Sequence, residues 1–416
     1  MTQPSCQEIS AAVAARAEQV RDWLMQMISY PSTQGNEADC QAYIKQLFEQ
    51  VGWPAEYREI PDELVDDPEY SHSENEQPYA GRHNLVARRA GSGGGRSLIL
   101  QAHADVVPAA DWLDAYQPKF DGEYVIGRGA MDDKGQVAMI MLVAAALNDL
   151  GVKLCGDLEL QVVIEEEVGG NGALALIRQG CQADGVVVLE ASNLDVFPAN
   201  RGAVWFRAKT TGTPKHMGCR HEAENAIEKM MEAIKWMLVY EKELIAASAG
   251  YPLFERYEAP VQLCLGTIRA DGWPSMVAGE CVLEGGVGFL PNKAMDDIRQ
   301  ELYQAVMRSD DQWLREHFEL TFPRLHNDAY EIDPNHPLVT TVHQAACDCG
   351  IPSEVYGWNV SCDARLYARL ADLPTVVYGA SDIGEAHSDG EKVPWSEVVE
   401  GAQGLAWAVV NWCGQV

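Results

Sequence analysis

The chain has 416 residues, more than one hydrophobic core normally supports, so two domains are expected. Apolar residues make up 47% and charged residues 22%, the balance of a soluble globular protein. The net charge of −31 leaves no basic stripe to neutralise phosphates, which excludes nucleic acid and anionic membrane surfaces as partners.

The first residues, MTQPSCQEISAAVAARAEQV, lack the basic and apolar regions of a signal peptide. No apolar run reaches the ~18 residues that a membrane span requires. Eleven cysteines are scattered without paired spacing, so reduced thiols in a cytoplasm are expected. Cys347 and Cys349 form a CxC with no second pair nearby, which is too little for a structural zinc.

In chain order, residues 8–30 and 36–50 read as amphipathic helices broken by PSTQGNE. Residues 60–83 are polar and turn-rich and read as an irregular excursion. GSGGGR, 91–96, lacks the Lys-Ser/Thr of a phosphate loop and reads as a strand connection. The pattern then becomes regular. RSLILQAH is a buried strand, residues 132–151 a helix closed by Gly151, and LELQVVIEE a strand. NGALALIRQG is a helix, GVVVLE and LPTVVYGAS are buried strands, and a last helix covers about 395–412. Strands alternating with helices predict an α/β fold with a mostly parallel sheet flanked by helices.

Residues 204–322 have another texture. AVWFRAKTTG and CVLEGGVGFLP read as half-exposed strands, and 224–245 and 292–307 as amphipathic helices. An α+β module is therefore expected to be inserted into an α/β domain made of 1–203 and 323–416.

Ligands of an open α/β sheet gather beyond the carboxyl ends of its strands. His103, Glu166, Glu167 and Glu190 end successive strands, His387 follows the last strand, and Asp132 opens the long helix. Two histidines with three or four carboxylates exceed the needs of one tetrahedral ion and suit two ions sharing a carboxylate, ~3.5–4 Å apart. Such a pair lowers the pKa of water to about 7 and polarises a carbonyl. Of Glu165, Glu166 and Glu167, one serves as ligand and one as base; the third supports a neighbouring group or faces solvent.

QAHADVVP, GRGAMDDKGQ, EEEVGGNGA, VLEAS and GEAHSDGE follow one another as they do in the dizinc amidohydrolase family of acetylornithine deacetylase, succinyl-diaminopimelate desuccinylase, aminoacylase-1 and glutamate carboxypeptidase. The chain resembles that family over roughly residues 20–412, most closely its acetylornithine-deacetylase-like members. The resemblance implies a zinc-exopeptidase-like catalytic domain with two Zn2+ per chain, cobalt or manganese being able to replace them. His103, Asp132 and Glu190 would hold one ion, and Asp132, Glu167 and His387 the other. Glu166 would be the general base, Asp105 would orient His103, and the Asp132–Asp133 peptide would be cis. The inserted module would be a lid that makes a homodimer, and His216 in TGTPKHMG would reach the partner's site to stabilise the oxyanion.

The sequence departs from the family's usual pattern in Ala102, in DDKGQ and in EAS, without losing a ligand. The lid's GGxxxNVVP is replaced by DGWPSMVAG, with Met276 in place of Asn, and its DxR by VGF. Arg365 is the candidate grip for a substrate carboxylate, and Asn225 is expected to be structural. The expectation is a cytoplasmic, homodimeric amide hydrolase that cleaves an N-acyl, most simply N-acetyl, amino acid or related small amide. A heterocyclic formamide is the kind of amine half the lid departures admit. A metallo-dipeptidase or carboxypeptidase and a non-catalytic ligand-binding member are the alternatives.

Overall fold

A computed structural model describes residues 4–73 and 75–414. Its larger sheet is ordered Ala55–Glu59, His83–Arg89, Leu158–Val163, Leu98–His103, Val186–Val188, Thr375–Val377, Val196–Asn200 and Tyr330–Glu331, with Val355–Trp358 also paired to Val196–Asn200. The four strands from Leu158–Val163 to Thr375–Val377 run parallel, and antiparallel strands flank them. Buried on both faces, Leu98–His103, Val186–Val188 and Thr375–Val377 read in sequence as mainly apolar runs, whereas Leu158–Val163, LELQVV, alternates.

Helices cover both faces. Cys6–Ile28, Lys134–Asp149, Pro337–Asp348 and Trp395–Cys413 pack together on one side. Asn171–Arg178 and Ala364–Leu370 pack on the other. Lys134–Asp149 is buried from Lys134 through Leu147, which explains why its sequence is apolar on every side. Among the described residues, no helix is long and apolar enough to cross a membrane.

A second, antiparallel sheet is ordered Gln262–Ala270, Glu280–Phe289, Gly202–Thr211 and Phe318–Thr321, with His326–Asn327 added to Gly202–Thr211. Helices Ala226–Ser248 and Met295–Met307 seal one face around Phe206, Leu283, Met237 and Leu302. Gly202–Thr211 alternates buried and outward residues, so Phe206 enters this core while Trp205 faces outward. Asn225 caps Ala226–Ser248, accepting from the Ile227 N–H at 3.0 Å, as expected.

The sequence reading did not find the strands His83–Arg89, HNLVARR, Val196–Asn200, VFPAN, and Val355–Trp358, VYGW, none of which alternates in polarity throughout. The described residues between 60 and 82 hold one helical turn, Asp62–Asp66, and otherwise follow an irregular course, as expected, with Leu64, Tyr70, Ser71, Tyr79 and Arg82 buried.

Candidate metal centre

The parallel strands Leu98–His103, Leu158–Val163 and Val186–Val188 stop at one edge, where the chain must turn. His103 is the last residue of its strand. Its backbone N–H donates to Asp133 Oδ2 at 2.9 Å and its Nδ1 to the Asp105 carbonyl at 3.0 Å, leaving Nε2 to face Asp132 Oδ1 at 3.1 Å. The other oxygen of Asp132, Oδ2, lies 3.1 Å from His387 Nε2, which also lies 3.0 Å from Glu167 Oε2. Asp132 thus stands between the two histidines with one oxygen for each. The Asp132–Asp133 peptide is cis.

Among the described residues, two groups could each hold an ion, their candidate ligand atoms within 4.8 Å of one another: Asp132, Glu167 and His387, and His103, Glu190 and Asp133. The sequence reading had not put Asp133 within ligand reach. One of its oxygens already binds the His103 N–H, while Oδ1 is buried without a partner.

The turn carrying Glu166 and Glu167 is held from beneath. Asp105 Oδ1 accepts the Glu166 N–H at 3.2 Å and Oδ2 accepts the Glu167 N–H at 3.1 Å. Asp105 was expected to orient His103 through its carboxylate. It does so mainly through its carbonyl, the carboxylate standing 3.4 Å from Nδ1 and serving the glutamate turn instead. Gly169 and Gly170 then close the turn with positive φ, and a Cβ at Gly169 would come 2.2 Å from Ser71 Oγ.

The electrostatics call for cations. Burial and repulsion from Glu190 and Asp363 push the Glu166 carboxyl well above its usual range. Burial and repulsion from Asp132 push Glu167 up to about 7, while hydrogen bonds to Asp132 and Glu167 push His387 up to about 10. Glu167 Oε1 is buried with no hydrogen-bond partner. An orphaned carboxylate oxygen among crowded acids and two imidazoles fits divalent cations.

The centre opens into a cavity of about 430 Å3 between the two sheets. Glu166, Glu190 and His387 lie in its floor, Trp205 and Asn327 come from the second sheet, and His72 and Ser73 from the 60–83 excursion. Arg365 does not line it. It is 3% exposed and donates to the Gly169 carbonyl at 2.8 Å, because it occupies the inward side of Ala364–Leu370. The expected carboxylate grip is therefore corrected to a buried support of the glutamate turn; the arginines on the cavity wall are Arg201 and Arg324. His216 is exposed, bridges to Met276 across the second sheet's loops, and is also absent from this chain's cavity wall.

Sequence reasoning missed Glu391, which is fully buried and accepts the N–H groups of Met131 and Asp132, at 3.0 and 3.1 Å. It left open whether the third glutamate supports a neighbour or faces solvent; that residue is Glu165, which is buried under Arg82, Tyr79 and Asn171. The only local signal for Glu165 was its place in the triple glutamate.

A family model described as peptidase family M20/M25/M40 matches residues 99–411. N-formyl-4-amino-5-aminomethyl-2-methylpyrimidine deformylase of Bacillus subtilis is 30% identical over 369 residues, covering 81% of this chain and 84% of that protein. Acetylornithine deacetylase of Pectobacterium carotovorum is 28% identical over 337 residues, covering 76% and 81%. Among solved structures, a tripeptidase from Staphylococcus aureus superposes with a TM-score of 0.74 at 18% identity, covering 95% of this chain and 98% of the other. A di-peptidase from Saccharomyces cerevisiae superposes with a TM-score of 0.74 at 14% identity, covering 98% of both, so the fold is shared.

Proposed function

Because the chain belongs to peptidase family M20/M25/M40, metallohydrolases of amides and peptides, we propose that it removes a short acyl group, formyl or acetyl, from the nitrogen of an amino acid or related small amide. The observation that carries this reading is the Asp132 carboxylate with one oxygen 3.1 Å from His103 and the other 3.1 Å from His387, beside Glu166 at the cavity floor. The names of the deformylase and deacetylase relatives support a short acyl group over a peptide.

His103 and Glu190 would hold one ion and Glu167 and His387 the other, with Asp132, whose two oxygens each lie 3.1 Å from one of the histidines, shared between them and Asp133 within ligand reach of the first; zinc best suits a set of imidazoles and carboxylates. Ions bound there would acidify water and draw electron density from the substrate carbonyl. Glu166 takes the proton of the attacking water and returns it to the leaving amine nitrogen. The sheet module of about 204–322 serves as lid and dimerisation unit, and His216 of the partner subunit donates to the developing oxyanion. The exposed position of His216, outside its own chain's cavity, supports that role. The unpaired thiols support a cytoplasmic setting.

The test is a hydrolysis screen of zinc-loaded protein on N-formyl and N-acetyl amino acids, small formamides and dipeptides, with Glu166→Gln as blank and released amine as readout. Turnover of the acyl compounds and not of dipeptides is expected. Turnover confined to dipeptides would replace this reading with a peptidase, and no turnover with two ions bound would overturn it.

A further inference from the structure

Two of the three consecutive glutamates face the metal centre, and the third faces away from it into the protein. Glu165 is 1% exposed and has φ +60°, in the left-handed region that a residue with a Cβ avoids. Such a conformation persists only where the surroundings over-determine it, and four donors surround this carboxylate. Arg82 Nη2 and Gln34 Nε2 donate to Oε1 at 2.6 and 3.2 Å. The Tyr79 hydroxyl and Asn171 Nδ2 donate to Oε2 at 2.5 and 3.0 Å.

Those donors are themselves fixed. Arg82 grips both oxygens of fully buried Glu37, at 2.6 and 2.7 Å, ahead of helix Ala38–Gln50. Tyr79 meets Tyr70 at 2.9 Å. Asn171 Oδ1 accepts the Ser71 N–H at 2.9 Å while its Nδ2 donates to the Ser71 carbonyl at 3.1 Å. The excursion from Tyr70 to Arg82 is therefore stitched to the turn from Glu165 to Asn171, and the same excursion brings His72 and Ser73 to the cavity wall. The residues next to Glu165 have their N–H groups tied to Asp105. The left-handed step at Glu165 is thus where the Leu158–Val163 strand changes direction, sending Glu166 into the cavity and Glu167 toward Asp132 and His387.

We propose that Glu165, locked by Arg82 and Tyr79, is a positioning residue that sets the turn presenting Glu166 to the substrate and Glu167 to the metal. This inference rests on the roles of Glu166 and Glu167 proposed above. Burial keeps the Tyr79 phenol far above its ordinary range, so it stays a donor to the Glu165 carboxylate. The fork of Arg82 spans two carboxylates, which an ammonium cannot match.

The test uses Glu165→Gly, Arg82→Met and Arg82→Lys in the full chain. Glycine adopts positive φ freely, so Glu165→Gly keeps the turn accessible and deletes all four anchors. Each variant is titrated with zinc, and kcat and KM are measured on the best substrate. Displacement of a catalytic group by about 1 Å costs on the order of 10²-fold in rate. Glu165→Gly and Arg82→Met are therefore expected to lose ~10²-fold in kcat with KM near wild type and to bind one of the two ions more weakly. Arg82→Lys should recover part of both. A Glu165→Gly protein with wild-type kcat and two unchanged metal affinities would overturn the inference, even if its melting temperature fell. If Arg82→Met does not fold, Glu165→Gly and Arg82→Lys decide. If the wild type hydrolyses no amide, the functional reading fails by itself, and the zinc titration still decides the positioning role because it needs no turnover.

Discussion

Glu391 accepts the backbone N–H of Asp132 at 3.1 Å, although 259 positions separate them. The carboxylate that stands between the two histidines is thus held at its main chain by a second carboxylate from the far end of the sequence. The other oxygen of Glu391 takes Arg128 Nη1 at 2.7 Å, with both side chains buried. Removing one member of a buried ion pair costs about 3–5 kcal/mol, because the remaining charge loses its partner. Glu391→Ala is expected to destabilise the protein by about that much and to weaken binding of both ions, since Asp132 faces both. Urea unfolding of metal-free protein and zinc titration by calorimetry measure the two effects.

Glu166→Gln is expected to lower kcat by roughly 10²–10⁴-fold, the usual worth of a positioned acid–base group. Because Glu166 is outside both ligand groups, metal content should remain two ions per chain. Steady-state kinetics with metal analysis of the same sample checks both statements.

The metal-free centre holds protons that ions must displace. Hydrogen bonds to Asp132 and Glu167 raise His387 to about 10, and contacts with Asp133, Asp105 and Asp132 outweigh burial and raise His103 well above its ordinary range. The His387 imidazole is therefore protonated at pH 7–8 in the metal-free protein, and it must be neutral to bind an ion. Zinc binding should release protons, and apparent affinity should increase as pH rises toward about 10. Calorimetry in buffers of different ionisation enthalpy counts the protons; uptake, or no exchange, would contradict the sign.

His216→Ala is expected to lose on the order of 10²-fold in kcat, as when one oxyanion donor is removed. If His216 serves the partner's site, mixing His216→Ala with Glu166→Gln protein should restore activity that neither has alone, because a hybrid dimer carries one complete site. Mixtures no more active than the separate variants would place His216 in its own chain's chemistry or outside it.

Arg365→Met is expected to reduce stability and kcat while leaving KM for carboxylate-bearing and neutral amides equally affected. The side chain supports the Gly169 carbonyl and does not line the cavity. A KM increase confined to carboxylate-bearing substrates would restore its reading as a substrate grip.

The sequence by itself was enough to locate the groups at the centre. His103, Glu166, Glu167 and Glu190 are each within four residues of a strand's carboxyl end, and that position follows from local apolar patterning. Ala226–Ser248 and Met295–Met307 were legible for the same reason, as periodicity is a property of neighbours in the chain, and Lys134–Asp149, apolar on every side, was legible from the Asp at its start and Gly151 past its end. Tertiary structure decided which partners those groups have. Glu391 beneath Asp132, and Arg82 with Tyr79 around Glu165, join positions about 80 to 260 residues apart, and no local pattern encodes such a meeting. Arg365 shows the same limit from the other side. Its sequence gives a cation near the site, but its direction depends on which face of a seven-residue helix packs inward, and packing against Asn171–Arg178 sends it toward Gly169. Residue types and their order thus identify the chemistry, while the distances and supports that make it specific arise only when separate segments compete for the same buried space.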